Sequence, residues 1–275
     1  MNRIALSMLT LVLSLAPICC WAAGPADQAK AIAEIERLGG KVTLDEKSPS
    51  KPVIAIDLAM TKVPDVAWEY LKGFTNLQML ELTNSKVTDA GLEHLKGLTQ
   101  LQELWAGGNQ VSDAGLRYLK ELSHLRFLSL ERTKITDAGL EYLKGLSELR
   151  TLDLAGTQVT DAGLEHLKGL SQLEMLILNH TQVTGVGLER LKGLSQLRRV
   201  FLNDTEVTDA GLERLKGLSQ LQHLALSRTQ VTDAGIEHLK GLCQLRHLNL
   251  FGSMVTDEGV KKLQQALPGC SIYLK

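Results

Sequence analysis

"TQVTDAGLEHLKGLSQ", Thr157–Gln172, decides how the chain is read, because nearly the same words return at Thr181, Thr205 and Thr229. Aligned on leucine, the copies start at Val53, Leu77, Leu101, Leu125, Leu149, Leu173, Leu197, Leu221 and Leu245, each 24 residues after the last without insertion or deletion. Within one copy, Leu152 and Leu154 at positions 4 and 6 alternate with polar neighbours, the pattern of a half-buried strand. Val159 turns back inward, and Thr160 before Asp161 predicts a helix N-cap with an acidic first turn. Leu164 and Leu167, three apart, share a helix face, Gly169 is placed to end the helix, and Leu170 returns to the core. One such coil cannot enclose a core alone. Stacked coils bury a continuous leucine column, which is why the chain has to repeat.

A period of about 20–29 residues with an L-x-x-L-x-L core is a sequence signature with one architecture behind it. The second copy carries it as Leu77, Leu80 and Leu82, then Ser85 and Val87. On these residues the chain resembles the leucine-rich repeat family over residues 53–275, and the wording "VTDAGLEHLKGL" is most similar to secreted bacterial members with 24-residue repeats. The resemblance implies an α/β solenoid, a horseshoe with a parallel β-ribbon on the concave face and short helices on the convex face. The family usually has Asn at position 9; here that column reads Thr61, Ser85, Asn109, Thr133, Thr157, Thr181, Thr205, Thr229 and Ser253. A hydroxyl bonds nearby backbone with fewer donors than an amide, so looser turns are expected.

Four segments follow. Residues 1–22 read as a secretory signal peptide, with Arg3 ahead of an apolar run from Ile4 to Ala16 and cleavage after Ala22. Residues 23–52 read as an N-terminal cap and linker: a helix from Asp27 with Ile32, Ile35 and Leu38 on one face, Gly39–Gly40 to end it, the short strand "KVTL", and "EKSPSKP". Residues 53–268 hold the nine repeats, and 269–275 a capping strand with Ile272 and Leu274 at positions 4 and 6 of a truncated copy. With the signal segment gone, only Cys243 and Cys270 remain. Export would allow a disulfide between them; the alternative is two buried free thiols.

Aromatics are 4% against 44% hydrophobic residues, so the core must be aliphatic. A formal net charge of −1 provides no field for nucleic acid or an anionic membrane, and no membrane span is expected in the mature chain. No phosphate-binding loop, nucleophile elbow or H-E-x-x-H motif occurs, so no catalytic residue and no cofactor are assigned. The position-18 column holds His94, His166 and His238 but also Tyr118 and Arg190, which reads as a solvated helix surface rather than metal ligands. Asn179 and Asn203 match the glycosylation pattern only because position 9 is Thr. Arg199, His223 and His247 should stand side by side on adjacent strands about 4.8 Å apart, without a third metal ligand.

Positions 3, 5 and 7 point away from the leucine column onto the concave surface. They vary most from copy to copy and carry three of the four Phe. The candidate ligand-binding residues are Glu103, Trp105, Phe127, Glu131, Asp153, Met175, Ile177, Arg199, Phe201, His223, His247 and Phe251. Rings in a water-facing column have no folding rationale, whereas aromatics and Arg are common binding anchors. The expected function is an exported, non-catalytic protein that binds a partner protein through its concave face, located outside the cell, in the periplasm or in the envelope. Two alternatives are an envelope spacer without a ligand and a ubiquitin-ligase-adaptor-like protein. The latter is disfavoured by the exported N terminus and by the lack of an F-box-like segment before the repeats.

Overall fold

In a computed structural model, which describes residues 25–275, every leucine assigned to positions 1, 4 and 6 of the nine full copies is buried, and a three-residue strand covers positions 3–5 of each copy from the second onward. Eleven strands pair in chain order into one sheet: β1 Lys41–Leu44, β2 Val53–Asp57, β3 Met79–Glu81, β4 Glu103–Trp105, β5 Phe127–Ser129, β6 Thr151–Asp153, β7 Met175–Ile177, β8 Arg199–Phe201, β9 His223–Ala225, β10 His247–Asn249 and β11 Ser271–Tyr273. From β2 to β11 every pairing is parallel and offset by one repeat, so Leu80, Leu104, Leu128 and Leu152 stand in one line. The first pairing is antiparallel, with Lys41 opposite Asp57, because the short turn after β1 folds it back along the edge of β2. That turn is held by the Asp45 carboxylate accepting from Lys47 N (3.0 Å). Helix α1, Pro25–Arg37, lies over this end and buries Ala31 and Ile35.

The convex face carries the expected short helices, in two forms. Four copies have α-helices of four to six residues, α2 Asp89–Glu93, α3 Asp113–Leu116, α4 Asp209–Arg214 and α5 Asp233–Ile236. Others use 3-10 helix, as at Gly139–Leu143, Gly163–Leu167 and Gly187–Gly193. A 24-residue coil leaves little chain for the return leg, and 3-10 helix spans more length per residue, about 2.0 Å against 1.5 Å. Gly169 lies just past the end of its helix, as expected, but without a left-handed conformation; the turn closes by Leu170 N donating to Leu167 O at 2.9 Å, which needs no positive φ. The last copy has Gln265 where most copies have Gly at position 21, and its helix α6 runs unbroken over Asp257–Ala266. It caps the C-terminal end with Leu263 and Leu267. Among the described residues no helix is long and apolar enough to cross a membrane. The signal segment assigned to 1–22 lies outside the described residues.

Neighbouring coils are joined by a polar ladder that runs beside the core. In copy after copy the Asp at position 13 accepts two hydrogen bonds from position 12 of the next coil. Asp137 takes Thr160 N (2.8 Å) and Thr160 Oγ1 (2.6 Å), and Asp113 takes Thr136 N (2.8 Å) and Oγ1 (2.6 Å). Asp89, Asp161, Asp209 and Asp233 do the same. The threonine also caps its own helix, Thr160 Oγ1 accepting from Ala162 N at 3.2 Å. This ladder explains the glycine at position 15: a Cβ on Gly163 would overlap Asp137 Oδ1. Among the described residues the ladder has one gap. Gly185 replaces Asp, Gly185 packs backbone to backbone on Gly211, and the next residue, Val186, is 76% exposed.

Candidate functional site

Strand geometry sends Leu80 and Leu82 into the core and leaves three rows facing the concave side. The position-3 row runs Met79, Glu103, Phe127, Thr151, Met175, Arg199, His223, His247, and the position-5 row Glu81, Trp105, Ser129, Asp153, Ile177, Phe201, Ala225, Asn249. The twelve predicted site residues all stand on this face. Glu103, Trp105, Phe127, Glu131, Asp153, Met175, Ile177, Phe201 and His223 are half-buried, and Arg199, His247 and Phe251 are exposed. Phe251 sits on the C-terminal rim, away from the other rings, under the Arg228 guanidinium at 6.0 Å.

Two pairs form within the rows. Trp105 and Phe127 stack with ring centroids 3.8 Å apart and planes at 29°. Part of each ring therefore covers its neighbour, and the indole N–H is shielded without a hydrogen-bond acceptor among the described residues. His223 and His247 stack at 4.5 Å on adjacent strands. Burial lowers the pKa of His223, and the neighbouring His247, Arg199 and Arg246 lower it further, so the ring is held neutral to lower pH than a free imidazole. Among the described residues no group of three or more His, Cys, Asp or Glu is placed to hold a metal ion.

The carboxylates gather at the other end. Burial raises the pKa of Asp153, and Glu131 nearby adds to that, against hydrogen bonds from Ala155 N (2.9 Å) and Ser129 Oγ (3.5 Å). Glu81 accepts from Thr83 N at 2.8 Å, and Glu131 lies 3.4 Å from the Arg132 guanidinium. Asn179 and Asn203 spend their side-chain oxygens on the next strand, accepting from Asn203 N and Ser227 N at 2.9 Å each.

Sequence reasoning missed the row beside this face. Position 8 is left-handed in all nine copies, at Met60, Asn84, Gly108, Arg132, Gly156, His180, Asp204, Arg228 and Gly252, with φ between 51° and 68°. Only three of these are glycine, so the sequence signal was weak. His180, Asp204 and Arg228 stand in a line along the rim, with Arg228 3.2 Å and His180 3.6 Å from Asp204. Two further readings are corrected. The position-18 column is half-buried at His94 and His166, whose Nδ1 atoms are shielded, rather than a fully solvated surface. Cys243 and Cys270 are unbridged, and only Cys270 is buried; its thiol is pushed up to about 11 by burial.

Position 9 divides as its donors dictate. Asn109 donates to Leu82 O (2.7 Å), Ala106 O (3.0 Å) and Gly107 O (3.1 Å) and accepts from Val87 N (3.1 Å), tying two coils together. Thr157 donates only to Leu154 O of its own coil (2.6 Å), so in most copies the Asp ladder provides the joint.

Comparison with known proteins agrees with this geometry. The family model described as a leucine-rich repeat region matches residues 105–271. No curated protein matches. Among solved structures, internalin C2 from Listeria monocytogenes is 26% identical with a TM-score of 0.60, covering 89% of this chain and 92% of its own. The ectodomain of the plant membrane receptor kinase GASSHO1/SCHENGEN3 from Arabidopsis thaliana, solved in complex with Casparian strip integrity factor 2, is 19% identical with a TM-score of 0.59. It covers 85% of this chain and 31% of its own, and at that identity it speaks for the fold alone. Since the family model spans more than half of the residues and the coils bury an aliphatic column dominated by leucine, the chain belongs to the leucine-rich repeat family.

Proposed function

We propose that this is an exported, non-catalytic protein that recognises a partner protein across its concave face. One observation carries the reading: rings and unpaired charges collect in the three concave rows, where no folding demand places them. Trp105, Phe127, Met175, Ile177 and Phe201 make half-buried apolar ground on β4, β5, β7 and β8, with carboxylates over β3–β6 and Arg199 and the paired histidines at the other end. Aromatic anchors ringed by charge are the usual carriers of affinity at protein interfaces. The plant ectodomain was solved with a bound partner, which supports binding as a use of this fold without naming the ligand here. Export rests on the N-terminal apolar run from Ile4 to Ala16.

Affinity capture from the native host's envelope or culture fluid, using the chain from Ala23 onward as bait, tests the site. Trp105→Ala and Phe201→Ala should each weaken the captured complex by more than about 1 kcal/mol. Glu165→Ala and Lys168→Ala, on the opposite surface, should leave it unchanged. The reverse pattern would move the site to the convex helices and defeat the proposal.

A further inference from the structure

Charges on the convex face are neutralised within the molecule. Glu141, Glu165, Glu189, Glu213 and Glu237 each pair with the lysine three residues on, and Glu165 and Glu189 also meet Arg190 and Arg214 of the next coil. The concave rows are different. On β3–β6 they hold Glu81 and Glu103, then Glu131 and Asp153, with no Lys or Arg in the same three rows. Glu81 and Asp153 are partly committed to backbone amides and Glu131 to Arg132, but the Glu103 carboxylate makes no hydrogen bond or ion pair with another described residue. Past Asp153 the rows hold no carboxylate at all; they hold Arg199, His223 and His247. Arg199 is exposed and likewise without an ion pair among the described residues.

The two uncommitted charges are therefore Glu103 on β4 and Arg199 on β8, in the same row and four strands apart. At about 4.8 Å per strand that is about 19 Å. The floor between them is apolar on β5, β7 and β8, with Phe127 and Met175 in the same row and Ile177 and Phe201 beside them, and is interrupted on β6 by Thr151 and Asp153. We propose that this face seats one polypeptide segment of a protein partner, with an Arg or Lys over β4–β6 against the stacked Trp105–Phe127 pair and Glu103, and a carboxylate over β8–β10 against Arg199. A span of about 19 Å is about six residues of extended chain or about thirteen of helix. A cation beside Glu103 also lies near the faces of Trp105 and Phe127, where ring quadrupoles add attraction. The opposite placement would set a carboxylate among four others, so the charges specify orientation as well as on-rate. This deepens the concave-face reading and rests on it.

Three labelled synthetic peptides test it at about 20 mM salt, where screening is weak: triarginine, triglutamate, and the two joined by a flexible spacer of six residues. Triarginine should bind at least fivefold more weakly to Glu103→Gln and to Trp105→Ala, and equally well to Arg199→Gln. Triglutamate should show the reverse, weakened by Arg199→Gln and indifferent to Glu103→Gln. The joined peptide should bind at least tenfold more tightly than either part, through effective concentration. Unchanged melting of Glu103→Gln and Arg199→Gln checks that folding is not what moved. Triarginine binding that responds to Glu165→Gln instead, absence of binding by both short peptides, or no gain on joining them would each overturn the proposal. If the peptides fail while Trp105→Ala and Phe201→Ala still abolish partner capture, only the charge assignment falls. If partner capture survives those substitutions, the concave-face reading falls with it.

Discussion

The Asp ladder makes an unusual demand on glycine, and Gly163→Ala tests it. In a short exposed helix, Ala should be the better residue by up to about 1 kcal/mol. Here the new Cβ would overlap Asp137 Oδ1 and come within 3.0 Å of Leu140 Cδ1. The leucine methyl can rotate away. The carboxylate cannot move without releasing Thr160 N at 2.8 Å and Thr160 Oγ1 at 2.6 Å. Hydrogen bonds to a charged acceptor contribute about 1.5–3 kcal/mol each, and these two share one half-buried carboxylate, so a joint loss of about 2–4 kcal/mol is expected. For a chain of this size that lowers the melting temperature by about 6–12 °C. Asp137→Ala should cost about the same, since it removes the same two bonds. The double variant decides the matter: without the carboxylate there is nothing for the Cβ to displace, so Gly163→Ala on the Asp137→Ala background should be neutral or mildly stabilising. Urea unfolding followed by circular dichroism and by fluorescence, with the two transitions checked for coincidence because solenoids can lose cooperativity, supplies the four free energies. Additive costs, or a Gly163→Ala variant as stable as the parent, would refute the ladder as the reason for glycine.

Three further outcomes are expected. Asp153 has a folded-state pKa above its unfolded value, so ionising it opposes folding as pH rises through the folded pKa; Asp153→Asn should raise the urea midpoint at pH 7 and leave it unchanged at a pH where the carboxyl is protonated in both states. Titration of native protein at pH 8 with a thiol reagent should modify exposed Cys243 promptly and Cys270, buried and raised to about 11, only on unfolding; two thiols reacting together in the native state would contradict this. N-terminal sequencing of protein from its native host should begin near Ala23, and a chain starting at Met1 or Asn2 would end the export reading.

What could be read from the sequence was whatever repeats with a simple chemical cause. Leu152, Leu154, Leu164 and Leu167 are all fully buried, because a leucine that recurs at a fixed position in most of nine copies has one explanation, a shared core. Asp137 was equally periodic, but its acceptor role depends on Thr160 in the next coil, and a polar column looks like solvated surface until the coils are stacked. Left-handed backbone at Arg132, His180, Asp204 and Arg228 left no trace because residue type there does not follow conformation. Every coil has the same 24 residues, so chain length does not choose between 3-10 and α-helix on the return leg, and Gly163–Leu167 and Asp209–Arg214 differ in outcome with nearly the same letters. On the concave face the rows and neighbours of Arg199, His223 and His247 followed from the period alone, while the stacking of Trp105 on Phe127 is a diagonal contact between position 5 and position 3 that no register rule dictates.

The concave rows gain meaning when set against the convex surface of the same copies. Position 20 is Lys in eight successive copies, from Lys72 to Lys240, and position 17 is Glu in seven of those eight, Arg117 excepted. These side chains are exposed, and pairs such as Glu165 with Lys168 contribute at most about 1 kcal/mol each. The fold therefore makes only a weak demand on them, yet they stay alike. Over the same eight copies position 3 reads Ala55, Met79, Glu103, Phe127, Thr151, Met175, Arg199 and His223. Copies made from one ancestral unit accumulate change at all weakly constrained positions together, so neutral drift would have scattered positions 17 and 20 as widely as position 3. They are not scattered. The concave rows have diverged from copy to copy while rows on the outer surface, which are at least as exposed, have not, and weak folding demand cannot separate the two. A surface that must match the uneven chemistry of a single partner along its length would produce that difference, with each strand fitted to the part of the partner lying over it.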